Sequence, residues 1–127
     1  MYNIEYFARI FLSLLFLIEG IRKISIQESV IMYMEDYGVP GTLFIPSIIL
    51  EILFPLMIIV GYKTKLAALI LSIFTFAVAI IFHTDFYEDM QMVFFLKDLA
   101  IAGGFMMIFF YGANKISLDN YLKSKQQ

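Results

Sequence analysis

Four apolar segments, each close to the length that crosses a bilayer, limit the fold of this chain more than any other feature of its sequence. They cover residues 4–24, 43–61, 66–83 and 92–112. A transmembrane helix needs about 20 mostly apolar residues, because the hydrocarbon core is about 30 Å thick. We therefore predict an all-α integral membrane protein, a four-helix antiparallel bundle that forms a single domain over residues 1–127.

The composition agrees with a membrane protein and excludes several functions. Hydrophobic residues make up 61% of the chain, charged residues 16%, and the mean hydropathy is +0.85, whereas soluble domains are about 45–50% apolar and about 25% charged. The net charge of -2 excludes the basic surface that nucleic-acid binding requires. The chain has no cysteine, so it cannot exchange thiols or hold an iron–sulfur cluster through thiolates. With a single histidine, we also expect no metal or haem site.

After Glu5 at the start of the first segment, seven further charged side chains lie inside these apolar segments, and a histidine lies at the edge of the third. Inserting a charge into hydrocarbon costs about 2.5–3.5 kcal/mol per group on insertion scales. We therefore expect these groups to be buried against one another, as a polar site in the outer half of the bundle. The candidate site residues are Arg9, Glu19, Arg22, Lys23, Glu51, His83, Lys97 and Asp98.

The first segment places its charges on two helical stripes. Glu19, Arg22 and Lys23 have i, i+3 and i+4 spacing and therefore share one face. A second stripe of polar, small and aromatic residues is predicted to face inward. It consists of Arg9, Ser13, Phe16, Gly20 and Lys23.

The second segment combines a carboxyl side chain with a helix-breaking residue. Pro55 has no N–H and its ring crowds the carbonyl of Glu51, four residues earlier. Glu51 is therefore either a protonated donor or one half of an ion pair, and the sequence leaves both open.

The whole polar site also has two interpretations. It is either a network that holds the helices in register, or a pocket with acid and base groups for a polar head group or for protons.

The connection between the first two spans is predicted to be a short amphipathic helix over residues 26–37, lying at the membrane interface. Ser25 and Glu28 have the spacing of a capping box at its start. Gly38 is the predicted stop.

The distribution of lysine predicts that both termini lie in the cytoplasm. Lys63 and Lys65 lie in the second connection, whereas the third connection has no Lys or Arg and contains Asp85, Glu88 and Asp89. The polar tail from residue 113 carries Lys115, Lys123 and Lys125. Glu5 precedes Arg9, so the start lacks the basic region of a cleavable signal peptide, and we interpret it as a retained span.

The order of several short motifs resembles the DoxX family of small four-span bacterial membrane proteins. The matching residues are Arg9, Gly20, Lys23, Gly38-Val39-Pro40, Glu51, Gly61-Tyr62-Lys63-Thr64-Lys65, His83, Lys97, Gly103, Gly104, Gly112 and Ser117-Leu118-Asp119. The resemblance implies a four-helix bundle in the bacterial cytoplasmic (inner) membrane. It also implies that Arg9, Lys23, Glu51, His83 and Lys97 are shared polar positions.

Three functions are open at this point. Some DoxX-like proteins are subunits of a thiosulfate:quinone oxidoreductase, so the resemblance implies a quinone-linked redox subunit to which another protein delivers electrons. The alternative is a non-enzymatic membrane subunit or assembly factor, a partner of another membrane protein or of a second copy, whose buried charges are structural. The third is a small proton-coupled exporter that uses Glu19.

Overall fold

The computed structural model describes residues 2–84, 89–113 and 117–126, and within these residues it is helical with no strand. A 3₁₀ turn at Gly41–Leu43 precedes the third helix. The helices are α1 (Tyr2–Ser25), α2 (Gln27–Asp36), α3 (Phe44–Val60), α4 (Thr64–Phe82), α5 (Asp89–Tyr111) and α6 (Leu118–Gln126). The all-α prediction is therefore confirmed.

Three stretches are long and apolar enough to cross a membrane, and they match three of the four predicted spans. They are Gly41–Val60, Thr64–Phe82 and Met90–Tyr111. The first helix has 24 residues, which is enough to span a bilayer. It differs because five of its side chains are charged: Glu5, Arg9, Glu19, Arg22 and Lys23. Length and composition thus mark α3, α4 and α5 as candidate spans. Whether α1 is also a span depends on how its charged side chains are packed.

The long helices pack around an apolar core. α1 lies against α3 and α5, and α4 also lies against both of them. The buried core cluster draws on all four of these helices and consists of Phe16, Ile58, Ala67, Ala68, Leu71 and Phe105.

The predicted inward stripe of α1 is confirmed. Arg9, Ser13, Phe16 and Gly20 are buried, and Lys23 is partly buried. A Cβ on Gly20 would lie 3.0 Å from a side-chain carbon of Ile52. The absence of a side chain at Gly20 therefore lets α1 approach α3 closely.

The helix predicted between the first two spans forms within one residue of its predicted bounds, but its predicted capping box is wrong. Ser25 is the last residue of α1, and Ile26 occupies the N-cap of α2 with no side-chain cap hydrogen bond. Because α1 continues through Ser25, the hydroxyl is not at the capping position. The predicted stop is confirmed: Gly38 has φ +80°, and its N–H donates to the Glu35 carbonyl at 3.0 Å.

Part of the predicted polar tail is in fact the helix α6, which docks on the turn between α3 and α4. The Asp119 carboxylate accepts hydrogen bonds from the Lys63 N–H at 2.7 Å, the Thr64 N–H at 2.9 Å and the Thr64 hydroxyl at 2.7 Å. The Asp119 N–H in turn donates to the Gly61 carbonyl at 2.8 Å. Lys63 occupies the N-cap of α4 with no side-chain cap of its own. A residue more than 50 positions away therefore satisfies the free donors of this helix.

Three residues that entered the orientation prediction, Asp85, Glu88 and Lys115, lie outside the described residues. The remaining lysines are placed. Lys63 and Lys65 lie on the turn that α6 contacts through Asp119, and Lys123 and Lys125 lie on α6 itself.

Replacing Asp119 by alanine is expected to lower the free energy of unfolding by about 1–2 kcal/mol, because α4 loses its cap and α6 its main contact with the turn. The measurement is thermal unfolding in detergent followed by circular dichroism, since the chain has no tryptophan. Asp36→Ala is the matched control, because Asp36 is exposed at the end of α2. Equal unfolding midpoints for the two variants would contradict the capping role.

Gly61→Ala is expected to destabilise the protein by about 1–3 kcal/mol, because a non-glycine residue in the left-handed region is strained. Gly61 has φ +77°, and an added Cβ would also clash with Ser117. Gly103→Ala is the matched control: Gly103 lies inside α5 with nothing within 4 Å of the added Cβ. That variant is expected to gain up to about 1 kcal/mol from helix propensity. Circular dichroism melts of both variants test the pair, and a neutral Gly61→Ala would contradict it.

Candidate functional site

A cavity of about 310 Å³, here called the polar cavity, brings together side chains from α1, α3, α4 and α5. Its wall also includes apolar side chains, among them Phe16, Phe74 and Phe94. Seven of the eight predicted site residues line it: Glu19, Arg22, Lys23, Glu51, His83, Lys97 and Asp98. The cavity therefore has three carboxylates, three cations and one imidazole around one volume.

Glu51 and Lys23 form the innermost contact of the polar cavity. The Lys23 Nζ donates to Glu51 Oε1 at 2.8 Å, which is the length of a charge-assisted hydrogen bond. The Glu51 side chain is 3% exposed and the Lys23 side chain 32% exposed. The second oxygen of Glu51, Oε2, is buried with no hydrogen-bond partner among the described residues. A buried carboxylate oxygen without a donor costs free energy, so Glu51 retains the capacity to accept one more hydrogen bond.

His83 and Asp98 form a second polar contact on the opposite wall. The His83 Nε2 lies 3.4 Å from Asp98 Oδ2, and the His83 Nδ1 lies 3.1 Å from Gln91 Oε1. Phe94 lies against the imidazole, with ring centroids 5.5 Å apart. Both ring nitrogens thus face acceptor oxygens, and the imidazolium form supplies a proton to each. The pair is suited to hold and release a proton beside the cavity.

Gln91 was absent from the candidate residues, although the sequence carries a signal for it. Gln91 and Asp98 lie seven residues apart on α5, so they share one face of that helix. A neutral amide in a span has a smaller insertion cost than a charge. The predicted site rests on charged groups, and Gln91 is therefore not among its residues.

Arg22 and Lys97 line the polar cavity but are exposed at the protein surface. The sequence predicts that Arg22 and Lys23 are both buried against other charged groups. Lys23 is held by Glu51, whereas Arg22 has no ion pair among the described residues. Both exposed cations therefore lie at the rim, where a long side chain can reach water or lipid head groups.

Arg9 does not join the polar cavity, because α1 and α3 run in opposite directions. Lys23 near the end of α1 meets Glu51, whereas Arg9 near its start meets Ile58 at the far end of α3. The Arg9 side chain is 1% exposed, donates through Nη1 to the Ile58 carbonyl at 2.7 Å, and places Nε 2.8 Å from Glu5 Oε1. Its position joins the two helices at the end where α6 docks.

A second cavity of about 590 Å³, here called the apolar groove, adjoins the polar cavity beneath α2. Most of its wall is apolar, with side chains from α2, the start of α3 and α4. The two cavities share the residues Glu19, Lys23, Phe74, Val78 and His83. The polar cavity therefore lies directly beside an apolar one.

A double-mutant cycle on Lys23 and Glu51 decides which form of Glu51 the protein uses. Lys23→Met and Glu51→Gln are each expected to destabilise the protein, because removing one member of a buried pair leaves the other without compensation. The double variant is expected to recover about 1–3 kcal/mol of the summed loss. Thermal unfolding by circular dichroism gives the three differences. Additive effects within error would show that the two side chains do not stabilise each other and would contradict the ion pair.

Comparison with known proteins agrees with the resemblance found in the sequence. A family model described as DoxX matches residues 5–84. The chain is 36% identical over 118 residues to the inner membrane protein YqjF of Escherichia coli K12, covering 93% of this chain and 91% of that protein. It is 31% identical over 121 residues to the inner membrane protein YphA of the same organism, covering 88% and 85%. No solved structure matches it. The chain belongs to the DoxX family.

Proposed function

We propose that this chain is a four-span protein of the bacterial inner membrane that binds the head of a quinone in the polar cavity and serves as a quinone-linked redox subunit. The observation that carries the proposal is one volume of about 310 Å³ in which a buried carboxylate with a free acceptor oxygen faces cations and an imidazole–carboxylate pair.

The packing of α1 supports its assignment as the fourth span. α1 lies against both α3 and α5, which are apolar enough to be spans. Two of its three cations are directed to protein partners: Arg9 to Ile58 and Lys23 to Glu51. A membrane helix tolerates charges when they face the protein interior and are paired there. The two E. coli relatives are named inner membrane proteins, and this supports the same location for this chain.

The distribution of lysine around the fold supports cytoplasmic termini. Because Asp119 of α6 binds the turn between α3 and α4, the lysines of the turn and of α6 lie at one end of the molecule. Positive residues concentrate on the cytoplasmic side of bacterial membrane proteins. In this orientation, the polar cavity lies in the outer half and Arg9 in the inner half.

The residues present fit a quinone head. A volume of about 310 Å³ is at the small end of ligand pockets, which span about 300–1,000 Å³. Phe16, Phe74 and Phe94 supply flat apolar walls for a ring. Lys23 and Lys97 supply donors for carbonyl oxygens, and Glu51 and His83 supply groups that hold or release protons.

A bound quinone would accept two electrons and two protons. His83 with Asp98, and Glu51 with Lys23, are the groups of this chain that can move protons at the cavity. The electrons must come from a partner protein, because a chain without cysteine has no thiolates for an iron–sulfur cluster. The role is therefore that of a subunit.

Glu51→Gln and Lys97→Met are each expected to weaken quinone binding at least tenfold, because the first replaces the ionisable carboxyl by a neutral amide and the second removes the ammonium donor from the cavity wall. The measurement is equilibrium binding of a short-tailed ubiquinone analogue to purified protein in lipid nanodiscs. Glu28→Gln and Lys123→Met are matched controls, since both side chains are exposed on helices away from the cavity. Wild-type affinity in both cavity variants would overturn the proposal.

A second candidate function has its own supporting observation: the polar contacts also join different helices. Lys23 and Glu51 join α1 to α3, and His83 and Asp98 join α4 to α5. A membrane subunit or assembly factor would need such contacts only to hold its shape for a partner. In that case, the wild-type protein would bind no quinone in the same assay, and Glu51→Gln would lower thermal stability and the recovery of a co-purified polypeptide.

A further inference from the structure

We propose that the apolar groove receives the isoprenoid tail of the quinone whose head lies in the polar cavity, so that the two cavities form one site for an amphiphile. This inference rests on the proposed function and adds to it the class of ligand, a tailed quinone, and the path that the tail takes.

The first support is that the two cavities lie side by side with common lining residues. They share Glu19, Lys23 and His83, which are polar, and Phe74 and Val78, which are apolar. The change from polar to apolar wall therefore occurs where the cavities meet. A ligand that spans this boundary needs a polar end on the side of Glu51 and an apolar end beneath α2.

The second support is that α2, which forms one wall of the groove, is held in place at both of its ends. At its start, α2 follows α1 after the single residue Ile26. Near its end, Tyr33 stacks on Phe82 of α4 at 5.4 Å, and Tyr37 meets the same ring edge-on at 5.2 Å. Met34 is buried against Phe44 and Ile48. The groove is thus a defined space between α2 and α4, with α2 held in place as one of its walls.

The groove is expected to contribute to binding by providing space for the quinone tail. A tail gains little free energy by moving from lipid into protein, because lipid chains are equally apolar. A quinone whose head is bound in the polar cavity, however, needs space for its attached tail. Filling the groove should therefore penalise tailed quinones by steric overlap and leave the binding of a tail-less head unchanged.

The test uses two ligands and a matched pair of variants. The ligands are a tail-less dimethoxy-methyl-benzoquinone and the same head with a decyl chain. Ala77→Phe fills the groove, and Ala100→Phe makes the same change at an exposed alanine of α5 away from both cavities. Ala77→Phe is expected to weaken binding of the decyl compound at least tenfold and to leave the tail-less compound within twofold. Ala100→Phe should change neither affinity.

The outcomes separate this inference from the function on which it rests. If the wild-type protein binds neither quinone, the proposed function fails. If it binds both, and Ala77→Phe leaves the decyl affinity intact, the tail path is overturned while the head site stands. A phospholipid that native mass spectrometry finds on the wild type and loses in Ala77→Phe, with decyl affinity intact, also overturns the inference.

A second variant covers the case in which Ala77→Phe unfolds the protein. Ser29 is exposed on α2 and also lines the groove, so Ser29→Phe fills the same space from the side of α2. A selective loss of decyl affinity in Ser29→Phe supports the inference, and equal effects on both ligands overturn it. Ser124→Phe on α6 is its control.

Discussion

The contact between Lys23 and Glu51 is the interaction on which the rest of this structure depends. It joins α1 to α3 at a depth where charge is poorly solvated, and its 2.8 Å length provides the compensation that each group needs. The contact is possible because Gly20 lets the two helices approach within van der Waals distance. It also orients the first helix, since a rotation of α1 about its axis would turn both Lys23 and Arg9 away from their partners on α3.

The molecule divides into a packed end and an open end. At the packed end, Arg9 binds the last turn of α3, and Asp119 caps α4 from α6. Phe16, Leu71 and Phe105 fill the space between the long helices. At the other end, the helices enclose two adjoining cavities under α2. This division suits a binding protein, because a rigid end can hold the walls of a site whose own polar groups are incompletely satisfied.

Much of the fold could be predicted because its signals are local. The bilayer sets the length of an apolar segment, so the bounds of α3, α4 and α5 follow from counting residues. The start of α6 could not be found in this way, since it has no apolar run and depends on the bond of Asp119 with the distant Thr64. The capping box failed for a related reason: whether α1 stops before Ser25 depends on how its last turn packs, which no short motif records.

For the candidate site, the sequence by itself determined which charged groups needed a polar environment, because the cost of a charge in hydrocarbon holds for any arrangement of the helices. It did not show that Arg22 and Lys97 remain exposed at the rim. Only the tertiary structure decided which of these groups meet. Because α1 and α3 run in opposite directions, Arg9 lies at the packed end and Lys23 contacts Glu51. The pairing of α4 with α5 brings His83 to Asp98 and Gln91. Spacing along one helix defines a face, but the partner of that face is set by packing between helices far apart in sequence.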